Sequence, residues 1–579
     1  MPRLLRALLL LAATLPQLAA AARLEVAIEP IFQGEPLRLD ALRYKNAAGE
    51  TLSVTRLSYL LGGFALERPD GSWLEFPGFH AWLDAAAHRQ SFVLEGIPAG
   101  RYRALRCHLG PDAAADRADV AAIPAGDPLH PATNGLHWGW QQGYIFLAWE
   151  GYFRRGAGEM QGYSHHLAGA PHRVGLHLAA PLDLSQDGGL QLNFDLALLG
   201  GAPRPLSFAE DGASTHSREG DPVAAALAAN LPGAFQVQNT ASAAPPLTAP
   251  APPPAAPIDL PTAYTPWRFV TSRSFPLPEL PRDNPLIAER VTLGEALFSE
   301  TLLSRDGSLS CASCHCQEAA FTDGLPVSRG VEGRLGERNA MSLHNLAWKR
   351  SFFWDGRAPS LREQVLQPIA DHREMDQSLE GAVEKLGRNP TYAARFRAAY
   401  RSPGISPAKI ALALEQYLLT LTSQRSRFDL SLIGKEVLSE EEQRGFELFM
   451  TEYDPRTGQR GADCFHCHGG PLFSDQQFHN NGLAGEAPGR AAVTGAAADQ
   501  GKFATPSLRN VARTAPYMHD GRFASLEEVV QHYSGAMSRR PTLDPNLAKH
   551  PARGLDLSSA DQAALVAFLK SLSEVPRSP

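Results

Sequence analysis

The sequence predicts a multidomain protein in which an antiparallel β-sandwich or barrel precedes a mainly α region built from two tandem units. Three observations carry that expectation. At 579 residues and 44% hydrophobic the chain exceeds what one core can organise, since domains hold roughly 100 to 200 residues each. Residues 239–261 read NTASAAPPLTAPAPPPAAPIDLP, an almost uncharged alanine and proline stretch that cannot form a core and favours an extended, semi-rigid spacer. Before that stretch apolar residues recur at every second position, and after it they recur with helical spacing.

Taken in order, residues 1–22 join two early arginines, Arg3 and Arg6, to a short apolar run ending in Ala20, Ala21 and Ala22, the pattern of a cleavable export signal. The mature chain is expected to be periplasmic or secreted, starting near Arg23, and no later stretch is long and apolar enough to span a bilayer. Residues 23–238 alternate, as in Val174, Leu176 and Leu178 and again in Leu190, Leu192, Phe194 and Leu196. The clusters NAAGE, ERPDGS and IPAGR separate such runs as turns separate antiparallel strands. Residues 262–435 and 436–579 carry helix signals instead. Ser439 with Glu442, Ser525 with Glu528, and Ser559 with Gln562 have capping-box spacing, and PAKIALALEQYLLTL reads as a long core helix. A net charge of −7 with interspersed signs gives no basic stripe, which argues against nucleic acid or an anionic membrane surface as a partner.

Four of the six cysteines fall in two Cys-x-x-Cys-His units: Cys311, Cys314 and His315, then Cys464, Cys467 and His468. In such a unit both thiols form thioethers with porphyrin vinyl groups and the following histidine reaches the iron. Each α unit is therefore expected to hold a covalent c-type haem on His315 or His468. A zinc site or a redox dithiol is the other reading of Cys-x-x-Cys, and two units in one exported chain, each completed by histidine, favour haem. Cys107 and Cys316 are left over, and nothing in the sequence brings them together.

The segments RNAMSLHNLAWKRSFFWDGRAPSLREQVLQPIADHREM and FATPSLRNVARTAPYMHDGRFASLEEVVQHYSG resemble the bacterial dihaem cytochrome c peroxidase family, MauG-like enzymes included, and the resemblance covers nearly all of residues 270–575. It implies an oxidoreductase acting on hydrogen peroxide, with Trp354 between two haems and Gln364 and Glu374 over the peroxide-binding iron of the first unit. It also implies Asn339, Thr514 and Pro516 as ligands of a calcium ion between the haems. Two departures from the plain peroxidase follow. A loop histidine that can block the first iron stands sixteen residues beyond the first motif in those enzymes, and this chain has Val331 there, with no histidine between His315 and His344. Where peroxidases place a distal methionine on the second haem, the aligned residue is Tyr533, with His532 beside it as a rival. A phenolate is a hard donor that favours high-valent iron. The resemblance thus points to MauG-like chemistry, in which Glu374 moves the peroxide proton, both irons hold an oxidising equivalent as a bis-Fe(IV) state, and a protein side chain is oxidised.

Residues 24–200 carry W-x-W-x-x-G-Y-x-F-x-x-x-E-G as Trp138, Trp140, Gly143, Tyr144, Phe146, Glu150 and Gly151, which resembles the MbnP-like copper-binding proteins that accompany MauG-like enzymes of the MbnH type. In that family a tryptophan becomes kynurenine and then helps to hold copper. The indole nitrogen lone pair belongs to the ring, whereas kynurenine offers an aniline nitrogen and a ketone. Trp138 or Trp140 is thus the expected substrate. Nine histidines lie between His80 and His177, and imidazole suits copper. The resemblance favours His80 and His130 as ligands, with His137 and His166 next. The spacer would hold this unit near the haem region at an effective concentration on the order of millimolar. Two other readings stay open: a peroxidase fed by a small cytochrome or cupredoxin, and a non-enzymatic copper or electron-transfer module. Val331 and Tyr533 weigh against the former, and Glu374 with Gln364 over an open iron against the latter.

Overall fold

The computed structural model describes residues 21–124, 126–138, 143–242, 258–272, 274–454, 458–535 and 537–575. The expected signal up to residue 20, Trp140 and most of the expected spacer, 243–257, lie outside the described residues.

The N-terminal unit is β-rich because its strands alternate. Gly175–Asp183 turns Leu176, Leu178, Ala180 and Leu182 inward and every intervening side chain outward. Five strands form one sheet, with Ala22–Phe32 between Gly188–Asp195 and Glu35–Pro36; nine form the other, around the long strand Thr51–Glu67. Their apolar faces share one core, where Tyr59 meets Phe194 and Phe235 edge-on. Pairing is antiparallel apart from Ala22–Phe32 on Gly188–Asp195 and Gln161–Ala168 on Ser214–Thr215. The strand Phe235–Ser242 pairs with Gly188–Asp195, so the sheet runs past residue 238, into the stretch read as spacer.

The helical region repeats one helix crossing. In the first unit Ala288–Phe298 packs on Pro407–Leu419, and a Cβ on Gly294 would meet the Ala413 carbonyl oxygen at 2.0 Å. In the second, Glu440–Phe449 packs on Ser559–Ser571, and a Cβ on Gly445 would meet the Ala564 carbonyl oxygen at 1.9 Å. Glycine is what lets each pair close. The capping box of Ser439 with Glu442 forms, and Ser525 accepts from the Glu528 N–H. The third cap falls one residue earlier than predicted: Ser558, not Ser559, accepts from the Asp561 N–H, and the Asp561 carboxylate suits the positive helix start better than Gln562 does. The second unit also begins before residue 436. Phe428 packs with Phe446, Phe473 and Phe568, and buried Asp429 accepts from Arg509 Nη1 and Nη2 at 2.7 and 2.9 Å.

The β unit is docked on the helical region, where a tether was expected. His130 Nε2 donates to the Leu277 carbonyl at 2.7 Å, and Arg350 Nη2 donates to Thr133 Oγ1 at 2.8 Å. On the other side the Tyr152 hydroxyl donates to the Leu543 carbonyl and the Ser214 hydroxyl to Glu452. Gly162 lies so near Pro545 that a Cβ there would stand 1.9 Å from the Pro545 carbonyl oxygen. Overpacking of this kind costs about 1–3 kcal/mol. Gly162→Ala is therefore expected to part the β unit from the second haem unit, seen as a larger radius of gyration in X-ray scattering with the haem absorption unchanged.

Candidate functional site: two haem pockets and an interfacial tryptophan

Each Cys-x-x-Cys-His unit closes one helical turn. Cys311–Cys314 is a short helix capped by Ser310, and His315 ends it; Phe465–His468 is its counterpart. His315 Nδ1 donates to the Phe321 carbonyl at 2.9 Å and His468 Nδ1 to the Phe473 carbonyl at 3.0 Å. A carbonyl can only accept, so both rings carry the proton on Nδ1 and keep Nε2 for a metal. Burial pushes the Cys311 thiol up to about 12 and those of Cys314 and Cys467 up to about 11. A redox dithiol needs the opposite shift. The donor sets fit covalent haem.

A cavity of about 470 Å³ holds Cys311, Cys314, His315, Gln364, Glu374 and Trp354 on its walls. Burial, reinforced by Asp371 and opposed by Arg357, pushes the Glu374 carboxyl up to about 7. Its backbone is fixed by the loop that follows the first motif: the Val331 N–H donates to the Glu374 carbonyl at 2.8 Å. A Cβ on Gly330 would lie 1.9 Å from the Arg373 carbonyl oxygen. Val331 is thus buried against the Glu374 segment.

Trp354 lines this cavity and also the one that holds Cys464, Cys467, His468 and Tyr533. Its Nε1 donates to the Asn339 carbonyl at 2.9 Å. A third cavity, of about 110 Å³, brings Asn339, Thr514 and Pro516 together beside Trp354; their oxygen donors are the type a hard cation takes. Tyr533 comes from the helix Leu526–Ser534, and its hydroxyl accepts from Asn481 Nδ2 at 3.1 Å. Burial pushes that phenol up to about 12. Met518, which the sequence reading passed over, lines the same cavity with its sulfur 3.4 Å from the same nitrogen. His532 is turned aside, donating from Nε2 to the Asn481 carbonyl at 3.0 Å.

The third feature lies between the β unit and the second haem unit. Trp138 packs against the cores of both. Its indole stacks on Phe465, with centroids 5.7 Å apart and planes 22° from parallel. It meets His216 and His166 edge-on at 5.1 and 6.1 Å, and its buried Nε1 has no hydrogen-bond partner. Phe465 stands between Cys464 and Cys467. Donor atoms of His166, His216 and His466 lie within 4.8 Å of one another. His166 Nε2 meets Glu150 at 2.9 Å, and Arg56 holds that carboxylate at 3.0 Å. Burial lowers His166 to about 3 and His466 to about 4, so both are neutral near pH 7.

His80 and His130 do not join this group. His80 Nε2 accepts from the Asp112 N–H at 3.3 Å, and His130 is the clasp to Leu277. His137 is half-buried and edge-on to Tyr144. The sequence reading missed His216 and His466. His216 sits beyond the segment that carries the family pattern, and His466 passes for filler within Cys-x-x-Cys-His. The only signal for His466 was an imidazole at a position of that motif with no role in holding haem.

Two thioether-ready cysteine pairs, each with a histidine of fixed tautomer, define a c-type dihaem oxidoreductase. Residues 288–437 match the family described as di-haem cytochrome c peroxidase, and residues 21–217 match the one described as MbnP. The methylamine utilization protein MauG of Methylophilus methylotrophus is 35% identical over 50% of this chain and 84% of its own length. The cytochrome c551 peroxidase of Nitrosomonas europaea is 32% identical over 52% of this chain and 86% of its own. A solved MauG-like protein described as associated with microbial copper homeostasis is 36% identical, covering 53% of this chain and 96% of that one with a TM-score of 0.48. The chain belongs to the di-haem cytochrome c peroxidase family that includes MauG, and it carries an MbnP unit ahead of its two haems. Among the described residues no helix is long and apolar enough to cross a membrane.

The two side chains that share Asn481 can be told apart. Tyr533→Phe is expected to change the electronic and paramagnetic resonance spectra of the second haem, with Met518→Leu leaving them as they were. The reverse pattern would assign the sulfur.

Proposed function

We propose that this chain is a self-acting enzyme: its MauG-like region uses two equivalents of hydrogen peroxide to oxidise Trp138 of its own MbnP unit to N-formylkynurenine, with two waters released, and hydrolysis then frees formate and leaves kynurenine, as part of making a copper site there. The stack of Trp138 on Phe465 carries this reading, because Phe465 lies between the cysteines that attach the second haem. The two haems, once attached, supply peroxide activation and a store of oxidising equivalents.

The chain's own residues do the rest. Glu374, poised near neutrality by burial, takes a proton from peroxide and returns it to the departing oxygen, with Gln364 on the same wall to orient the reactant. Val331, tied to the Glu374 segment, leaves the first pocket without a blocking imidazole. Trp354 places an indole between the pockets, and Asn339, Thr514 and Pro516 are the residues to hold calcium beside it. Tyr533, on the wall of the second pocket, would offer an oxygen donor to the second iron. Packing at the unit contact holds Trp138 in one position beside the second haem motif, with one face on Phe465 and a cavity of about 500 Å³ at its edge. The early arginines and apolar run fit export to the periplasm or beyond, where c-type haem and copper are handled. A donor cytochrome or cupredoxin would have to reach the second haem at another face, because the β unit covers Phe465 and His466.

Two measurements test the reading. In holoprotein treated with peroxide, peptide mass spectrometry is expected to find kynurenine at Trp138, abolished by Trp138→Phe; an unchanged tryptophan with peroxide consumed only when reduced cytochrome is added would favour a plain peroxidase. Glu374 acts as a base when ionised, and its raised value puts that change near pH 7. The rate with peroxide is therefore expected to climb as pH rises through about 7 and then level. Glu374→Gln should remove that dependence and slow the step by roughly 10²- to 10⁴-fold.

A further inference from the structure

We propose that His166, His216 and His466 form a metal site shared between the β unit and the second haem unit. It would take one imidazole-seeking ion, copper or zinc, and it is complete before Trp138 is altered. The site adjoins the tryptophan chemistry proposed above and does not rest on it, since it needs no kynurenine.

Two of the rings already have the partner that a metal-bound histidine uses on its far side. His166 Nε2 meets Glu150 at 2.9 Å and His216 Nδ1 meets Glu452 at 2.5 Å, while His466 Nε2 lies 3.2 Å from Lys549 Nζ and 3.6 Å from Asp463. A carboxylate behind a histidine fixes the ring and strengthens it as a ligand. The remaining nitrogens of two rings are orphans: His166 Nδ1 and His216 Nε2 are buried without a hydrogen-bond partner. Leaving such atoms unpaired is costly, and an ion is one of the few explanations for them. Three imidazoles converging at one place therefore ask for a ligand.

Charge and space agree. Three buried carboxylates, Glu150, Glu452 and Asp463, surround the cluster; among the described residues they pair with Arg56 and Lys549 and with the imidazoles of His216 and His550, and such acidic surroundings favour a bound cation. Bonds of about 2.0 Å to a tetrahedral ion put donors about 3.3 Å apart, and the three donor atoms here all lie within 4.8 Å of one another. Cavities flank the cluster on two sides. One, of about 500 Å³, has His216, Trp138 and Phe465 on its wall; the other, of about 80 Å³, has His166 and His466. Nitrogen donors select copper or zinc over calcium or magnesium, which prefer oxygen. His466 makes this arrangement distinct from a site confined to the β unit, because it belongs to the haem-attachment motif.

The test uses full-length holoprotein stripped with chelator and never exposed to peroxide, titrated with copper and, separately, with zinc. One ion per chain is expected after desalting, by elemental analysis, with nitrogen superhyperfine structure in the Cu(II) resonance. His466→Ala and His216→Ala are each expected to weaken binding by more than about 100-fold, and Glu452→Gln by about 10- to 100-fold, the usual cost of losing an outer partner. His177→Ala should bind as the parent does. Unaltered haem spectra in each variant establish that it has folded. Binding that survives His466→Ala, or no stoichiometric binding of either metal before peroxide, overturns the proposal. Kynurenine formation that persists in His466→Ala leaves the tryptophan reading intact, so the two fail separately.

Discussion

The buried carboxylate of Glu452 is the constraint on which the functional arrangement depends. It accepts from Ser214 and His216 of the β unit and from Lys549 of the second haem unit, with Lys549 and Glu452 side chains only 4% and 6% exposed. Burial works against its charge, but His216 and Lys549 outweigh that penalty and hold the carboxyl well below the usual range. A buried charge of this kind adds little net stability while it is paired, yet removing one partner costs about 3–5 kcal/mol. What it contributes is registration. A β unit that slid would take Ser214 and His216 from Glu452 and leave it Lys549 alone, so the contact favours the one position that keeps Trp138 against Phe465.

The two haem units share one scaffold and diverge in the walls of their pockets. Gly294 and Gly445 allow the same close helix crossing, and Phe321 and Phe473 supply the same carbonyl to each axial histidine. Divergence comes from what each pocket buries. The first presents Glu374, lifted toward neutrality because burial penalises its charge. The second is lined mainly by apolar side chains with Tyr533 and Met518 among them. Trp354 belongs to both walls, so the asymmetry is read across a single indole.

Local patterns were the most legible in the sequence. Alternation gave Gly175–Asp183, cap spacing gave Ser439 with Glu442, and the two Cys-x-x-Cys-His units placed both haem pockets, since each rests on contacts a few residues apart. Boundaries were less so, because Phe428 joins the second core through rings distant in sequence and Phe235–Ser242 is a strand only by pairing with Gly188–Asp195. The histidine cluster could not be read at all. His166, His216 and His466 come from three separate segments, two on the β unit and one on the second haem unit, and their meeting is a product of docking. His80 and His130, chosen by resemblance, proved to be engaged with Asp112 and Leu277.

The placement of Phe465 and His466 under the β unit also dictates a chronology for biogenesis. Thioether bonds form on a segment that a ligation enzyme can grasp, yet in the finished molecule the middle of that segment is roofed by Trp138, His166 and His216. The β unit precedes that segment in the chain, so attachment of porphyrin to Cys464 and Cys467 is expected to go before closure of the joint over Phe465 and His466.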